Sequence, residues 1–474
     1  MNYETVIGLE VHLQLATKTK AFCGCSTKFG AEPNSHTCPV CLGFPGSLPV
    51  LNGEAFNFSI KVALALNCKI QDLIKFDRKN YYYPDLPKNF QISQYDMPLS
   101  YDGFVDIISG DKPKRIRVKR VHLEEDAGKL MHESARSLVD YNRAGMPLLE
   151  IVTEPDINSP DEAYDYLVKL KSILKYLRVS DCDMEKGSLR CDANISLRPK
   201  GETKLGTKVE IKNMNSFKNV RAGLEFEVKR QLSAIEDGEK IRQETRLWDA
   251  DKEITLPMRS KEEAEDYRYF PEPDLVPFVV DKNEVERVRN ALPELPEAKC
   301  ARFVKDMGLS EYDASVITSD VDMAEYFEKA SGLYANKKTI ANWLMGDISA
   351  KLKEKELQIN ELGIQPKWLV NLLELIDTGT ISGKMAKSVL AEAIDTKCDP
   401  KEIVTRKGLS QVNDRGEIET IIRSVLSKNA KSIADYKSGK KNALAFLIGQ
   451  VMKESKGKAN PAVTGELLKK ELGE

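Results

Sequence analysis

Residues 4 to 15 alternate strictly between apolar and polar side chains. Ile7, Leu9, Val11, Leu13 and Leu15 are aliphatic, and Gly8, Glu10, His12 and Gln14 stand between them. A strand sends successive side chains to opposite faces, so Glu10, His12 and Gln14 share one side. The same period of two aligns Arg190, Asp192 and Asn194 within 188–196, and Lys208, Glu210 and Lys212 within 208–212. A fourth segment, Val121-His-Leu-Glu-Glu-Asp126, alternates less regularly and supplies Glu124 and Glu125. A merely solvated strand face accounts for any one segment. Carboxylates recurring in four of them point further, because crowded carboxylates must raise a pKa or find a cation. Strands sharing one sheet would gather acids, a histidine and cations on one face, a donor set suited to metal-dependent phosphoryl transfer.

Beyond residue 296 the pattern changes. Only Pro366, Pro400 and Pro461 of the 21 prolines lie there, and segments such as Ile340–Ile348 and Trp368–Ile376 take a helical period. The proline-rich stretch from Phe270 to Pro296 reads as the end of a strand-rich domain and a linker. The expected organisation is α+β over 1–292, all-α over 293–404 and a small helical tail over 405–474, with breaks near the linker and near Cys398-Asp-Pro-Lys. That agrees with about three domains at ~150 residues each.

Composition adds limits. A net charge of −2 excludes a uniformly basic nucleic-acid coat, so any RNA contact is local. One local basic stretch exists, Lys431 to Lys458, where lysines flank an apolar helix face; it fits phosphate contacts or a solvated surface. No run of 18 apolar residues occurs, and neither a membrane span nor a secretory presequence is expected. Nine cysteines, an odd number with five scattered, suggest a reduced, cytoplasmic setting. The other four cluster as Cys23-Gly-Cys25 and Cys38-Pro-Val-Cys41. Two close pairs across a short loop wrap one tetrahedral Zn²⁺, and four thiolates leave no open position, so such a site is structural.

Two patterns mislead. Gly201 to Lys208 has the glycine spacing of a phosphate loop, but Thr207 precedes Lys208 where the motif requires lysine directly after glycine. No glycine- and serine-rich stretch suggests an amidase nucleophile. The segment Asp77 to Gln94 is more informative: Arg78 and Lys79 suit phosphates, Tyr81 to Tyr83 suit a base or a packed cluster, and its prolines predict a shaped loop.

Longer strings carry a resemblance. Ile7-Gly-Leu-Glu-Val-His-Leu-Gln14, the four-cysteine segment, Tyr81-Tyr-Tyr-Pro-Asp-Leu-Pro-Lys88 and Val121-His-Leu-Glu-Glu-Asp-Ala-Gly-Lys129 are among them. So are Asp140 to Asp156, Leu189 to Ser196, Val209 to Phe217, Gly449-Gln-Val-Met-Lys and Lys456 to Pro461. Over essentially its full length the chain resembles the GatB family of bacterial tRNA-dependent amidotransferase subunits, without the inserted domain of the archaeal relative GatE. The resemblance implies a cradle domain related to the glutamine synthetase fold, with an antiparallel sheet, then a helical domain and a YqeY-like tail that binds tRNA.

It also implies the chemistry: ATP-dependent phosphorylation of the side-chain carboxylate of Glu-tRNA(Gln) or Asp-tRNA(Asn), then amidation. Ammonia comes from a GatA-type amidase, and a GatC-type small subunit completes a heterotrimer. Glu10, His12, Glu124, Glu125, Asp192 and Glu210 are expected to hold Mg²⁺ or Mn²⁺, with His12 and Glu125 on one ion. Lys79, Arg190 and Lys212 are expected at the phosphates of ATP. A non-catalytic zinc-stabilised tRNA scaffold, and a ligase acting on free glutamate, are the competing classes.

Overall fold

The strand Tyr3–Gln14 (β1) runs through the middle of a nine-stranded sheet. The others are β2 (Lys69–Ile70), β3 (Ser100–Ser109), β4 (Lys112–Glu125), β5 (Pro147–Thr153), β6 (Leu189–Pro199), β7 (Val209–Lys212), β8 (Glu244–Asp249) and β9 (Ile254–Ser260). Their order is β9-β8-β7-β6-β1-β5-β4-β3-β2. All pairings are antiparallel except β7 with β8. The computed structural model describes residues 3–134, 136–260, 264–409, 415–437, 440, 442–455, 459 and 461–473.

The aliphatic side of β1 explains the layering. Ile7, Leu9, Val11 and Leu13 are at most 1% exposed. They meet Tyr166, Leu167, Leu170 and Leu174 of helix α2 (Pro160–Tyr176) and Val220 and Leu224 of helix α3 (Phe217–Glu236). Ser159 and Ser216 cap these helices, each accepting an amide N–H of the first turn, and Pro160 opens α2. Because α3 joins β7 to β8, the connection crosses over the sheet and the two strands come out parallel. Helices cover one face, leaving the other to the polar residues. Gly206 belongs to packing: a Cβ there would lie 2.1 Å from the Leu197 carbonyl oxygen.

The segment 77–94 is not wholly loop. Asp77–Asn80 and Phe90–Ser93 pair antiparallel, with Phe270–Pro271 on the outer edge. This small sheet meets the end of β4. Gln91 Nε2 donates to the Glu125 carbonyl at 2.6 Å, and Ser93 Oγ donates to Glu124 Oε2 at 3.2 Å. The alternation Arg78, Lys79, Asn80 is too short and too polar to announce a strand.

The chain divides at Pro296/Glu297 into two compact units. Helix α4 (Lys282–Asn290) stays with the first, its Val285 and Val288 packed on Ile60 and Leu64 of helix α1 (Gly53–Ala65). The second unit is helical. Its Ile340–Ile348 segment runs as Lys337–Trp343 and then a π turn over Leu344–Ile348. Within it, Ile418, Ile422, Leu447, Val451 and Leu468 form a local core for helices Arg415–Lys428, Asn442–Glu454 and Pro461–Leu472. Lys441, Lys456 and Lys458 of the basic stretch lie outside the described residues, as does part of Lys456–Pro461.

Candidate active site and metal centres

Strand register assembles the polar face. Across β1, Glu10 stands opposite Asp192 and His12 opposite Arg190 on β6, while His12 also stands opposite Glu150 on β5. Glu150 in turn faces His122 on β4, and Asn194 faces Glu210 on β7. Five strands therefore contribute to one surface.

Its centre is the Glu150 carboxylate. His12 Nε2 lies 3.6 Å from Glu150 Oε2, 3.8 Å from Glu124 Oε1 and 4.0 Å from Glu10 Oε1. His122 Nε2 lies 3.4 Å from the same Glu150 oxygen and 3.8 Å from Glu124 Oε2. Glu10, His12 and Glu150 form one group whose donor atoms all lie within 4.8 Å, and His122, Glu124 and Glu150 form a second. Glu124, Glu150 and His122 are buried, and His122 Nδ1 has no hydrogen-bond partner among the described residues.

Electrostatics follow from this crowding. The charge of Glu150, then burial, push the Glu10 carboxyl up to about 7 against the opposing pull of His12. Burial works against the His12 imidazolium, yet the bond to Glu150 and the charges of Glu150, Glu124 and Glu10 hold its pKa up at about 9. Burial likewise opposes the Glu150 carboxylate, but His122 and His12 keep it well below the usual range. In the bare chain two imidazolium ions thus neutralise the acids. A divalent cation offers the same neutralisation with shorter contacts to oxygen and imidazole nitrogen, so the donor set fits one.

Two further clusters border this centre. Lys212 pairs with Asp192 and lies 3.6 Å from Glu210 Oε1, while Thr245 Oγ1 donates to Glu210 Oε2 at 2.8 Å. Asp126 accepts from Arg190 Nη2 at 3.0 Å and Gln14 Nε2 at 2.8 Å, with Arg143 Nε at 3.6 Å. Burial opposes the Asp126 charge, but Arg190 and Arg143 hold its pKa low. Lys79 differs from these cations: its Nζ lies 4.6 Å from the Tyr267 ring centroid and 5.8 Å from that of Tyr81.

The structure thus brings Glu10, His12 and Glu124 together, with Asp192 and Glu210 beside them. It does not put Glu125 with His12. One residue beyond Glu124, Glu125 alternates to the other side of β4, where it pairs with Lys88 and accepts the Ile92 amide N–H at 2.9 Å. Glu150 and His122 are the residues that sequence reading passed over. Glu150 is the lone acid in the apolar run Pro147-Leu-Leu-Glu-Ile-Val-Thr153, an anomaly for a central strand and the signal that would have found it.

The four clustered cysteines converge separately, with all Sγ atoms within 4.8 Å of one another and Cys38 to Cys41 at 3.9 Å. A tetrahedron with ~2.3 Å metal–sulfur bonds has sulfur–sulfur edges of about 3.8 Å, so the pocket has zinc dimensions. Lys20, fully buried, places Nζ 3.6 Å from Cys41 Sγ and 3.2 Å from the Tyr141 carbonyl oxygen. The hydrogen bond from Cys23, opposed by burial and assisted by Cys38 and Lys20, draws the Cys41 pKa down. A buried ammonium against sulfur suits an anionic thiolate cluster.

Similarity to known proteins extends along the whole chain. Residues 5–286 match the family model described as the GatB/GatE catalytic domain, and residues 325–472 match a second described as a GatB domain. A relative from Caldanaerobacter subterraneus subsp. tengcongensis is 57% identical over 473 residues, 100% of both chains. One from Carboxydothermus hydrogenoformans is 54% identical over 475 residues, 99% of each, and one from Clostridium tetani 51% over 473 residues, 100% of this chain and 99% of that one. All three are named as the GatB-type subunit of an aspartyl/glutamyl-tRNA(Asn/Gln) amidotransferase. The sheet with its acidic face and the end-to-end similarity agree, and the chain belongs to the GatB family.

Proposed function

We propose that this chain is the subunit of a tRNA-dependent amidotransferase that activates a mischarged aminoacyl-tRNA, and that the polar face of the nine-stranded sheet is where activation occurs. A carboxylate resists ammonia because oxide would have to leave; phosphorylation supplies a leaving group. The substrate's side-chain oxygen attacks the γ-phosphorus of ATP, the bond to the β,γ-bridging oxygen breaks, and ADP departs. Ammonia then attacks the acyl carbon, phosphate leaves, and a proton is released as Gln-tRNA(Gln) or Asn-tRNA(Asn) forms.

The observation supporting this is the convergence of Glu10, Glu124, Glu150, His12 and His122 on two overlapping donor groups. A divalent cation, Mg²⁺ or Mn²⁺, would neutralise the γ-phosphate as it meets an anionic carboxylate. Glu10, His12, His122, Glu124 and Glu150 would hold it, with Asp192 and Glu210 alongside. Lys79, Arg190 and Lys212 would attract the triphosphate, and Asp126 would fix Arg190. Glu125 acts on this reading from the edge of the site, through Lys88. The four cysteines would hold a structural Zn²⁺.

The same proposal extends to the domains: a glutamine synthetase-like cradle, a helical domain, and a YqeY-like module over 405–474 that meets tRNA with its lysines. Ammonia would come from a GatA-type amidase, with a GatC-type small subunit completing a heterotrimer in the cytoplasm. Among the described residues no helix is long and apolar enough to cross a membrane. The deciding experiment reconstitutes the chain with both partners and supplies Glu-tRNA(Gln) or Asp-tRNA(Asn), ATP, Mg²⁺ and glutamine. ADP and amidated tRNA should form only with a mischarged tRNA present. ADP formation from free glutamate alone, or none at all, would refute the proposal.

A further inference from the structure

The cations near the acidic centre divide into two kinds. Arg190 donates to Asp126, Lys212 to Asp192, Lys88 to Glu125, and Lys75 lies 3.2 Å and 2.8 Å from Asp77 and Asp96. These side chains are committed to carboxylates of the protein. Arg120 and Lys79 are not: neither hydrogen-bonds to a carboxylate among the described residues.

Arg120 stands two residues before His122 on β4, so alternation puts both on the polar face, and the register sets Arg120 opposite Val152 of β5. Its Nη1 donates to the Tyr95 carbonyl at 3.3 Å, its Nη2 lies 3.8 Å from Glu150 Oε1, and its buried Nε has no partner among the described residues. A guanidinium carries five N–H donors in a fixed fork, and a buried one left without an acceptor is costly. The Tyr269 ring stacks on Tyr95 at 4.4 Å, and the charges acting on Tyr269 are those of Lys79, Glu124, Glu150 and Arg120. Both uncommitted cations therefore flank the acidic centre, with Tyr269 as a common neighbour.

We propose that Arg120, with Lys79, clamps the phosphoryl group in flight, donating to its non-bridging oxygens while the cation-binding acids hold the metal. A group of three equatorial oxygens needs donors not already taken by the protein, and a planar fork matches it better than an ammonium does. This rests on the phosphoryl-transfer reading of the face. The bonds made and broken are those given above, and the clamp neither gains nor loses a proton.

The test uses the reconstituted amidotransferase with Arg120→Ala and Arg120→Lys, measuring mischarged-tRNA-dependent ADP formation and Mn²⁺ affinity. Loss of one preorganised donor to a developing oxyanion costs about 10²–10³ in rate. Arg120→Ala should fall by that factor, keep its Mn²⁺ affinity within about threefold, and regain at least tenfold when guanidinium ion is added. Arg120→Lys, whose point charge keeps the electrostatic part, should fall less. A variant that stays within threefold of wild type overturns the clamp. So does one whose rate and Mn²⁺ affinity fall together with no guanidinium rescue, which would make Arg120 a support for Glu150. Absence of tRNA-dependent ADP formation in the wild type would instead overturn the underlying reading, and the clamp with it.

Discussion

Replacing Glu150 by glutamine removes the one carboxylate shared by both donor groups. At 3.6 Å, with an effective dielectric of 20 for a pair this buried, its attraction for the His12 imidazolium is ~4.6 kcal/mol. That equals about three powers of ten in proton affinity. His12, held at about 9 in the intact chain, should then titrate below neutrality, because burial remains and its main partner is gone. Glu10, held at about 7 first by the Glu150 charge, should fall as well.

The sign of the stability effect follows. His12 binds its proton more tightly folded than unfolded, so its contribution is complete below pH ~6.5 and is lost as pH rises through about 9. Metal-free wild type should lose stability across that window, and Glu150→Gln should not. With only four histidines in the chain, ¹³C-histidine NMR resolves the titration directly. An unchanged His12 titration in Glu150→Gln would refute the geometry argued for the centre. Amidation at saturating Mg²⁺ should fall at least about 10²-fold in the same variant.

Divalent-cation affinity of the wild type should rise with pH up to about 9, since the ion displaces the His12 and Glu10 protons; calorimetry showing a flat profile would contradict the assigned donors. Glu125→Gln, which leaves buried Lys88 without its partner, should lose about 3–5 kcal/mol in urea unfolding, and adding Lys88→Met should restore part of it. Its zinc content should be unchanged. Cys38→Ser should lose one zinc per chain by mass spectrometry and lower Tm by more than about 4 °C, with KM for ATP unaffected. Deleting 405–474 should raise KM for tRNA while leaving KM for ATP alone; an unchanged tRNA KM at physiological salt would remove the tail from RNA binding.

Much of the site was readable because β-sheet alternation is simple. Glu10, His12 and Asp192 could be assigned to one face of their strands from spacing alone, and register then set them side by side. Glu125 shows the limit, since a one-residue offset at the end of β4 sends it away from its neighbour Glu124. Glu150 shows another, because pattern reading weighs polar repeats and a single acid amid aliphatics makes none. Arg120 and Lys79 depend on what other cations already hold, which only tertiary contacts reveal. The crossover helices were legible as elements, but the parallel pairing of β7 with β8 follows from where α3 packs.

Central to the proposed reaction is transfer of a phosphoryl group to the substrate's own carboxylate. Mischarged tRNA bearing ¹⁸O in both side-chain carboxylate oxygens, given to the complete enzyme with ATP and glutamine, tests this without any variant. One ¹⁸O should appear in each inorganic phosphate released per amide formed. Phosphate free of label alongside normal amide yield would contradict that transfer.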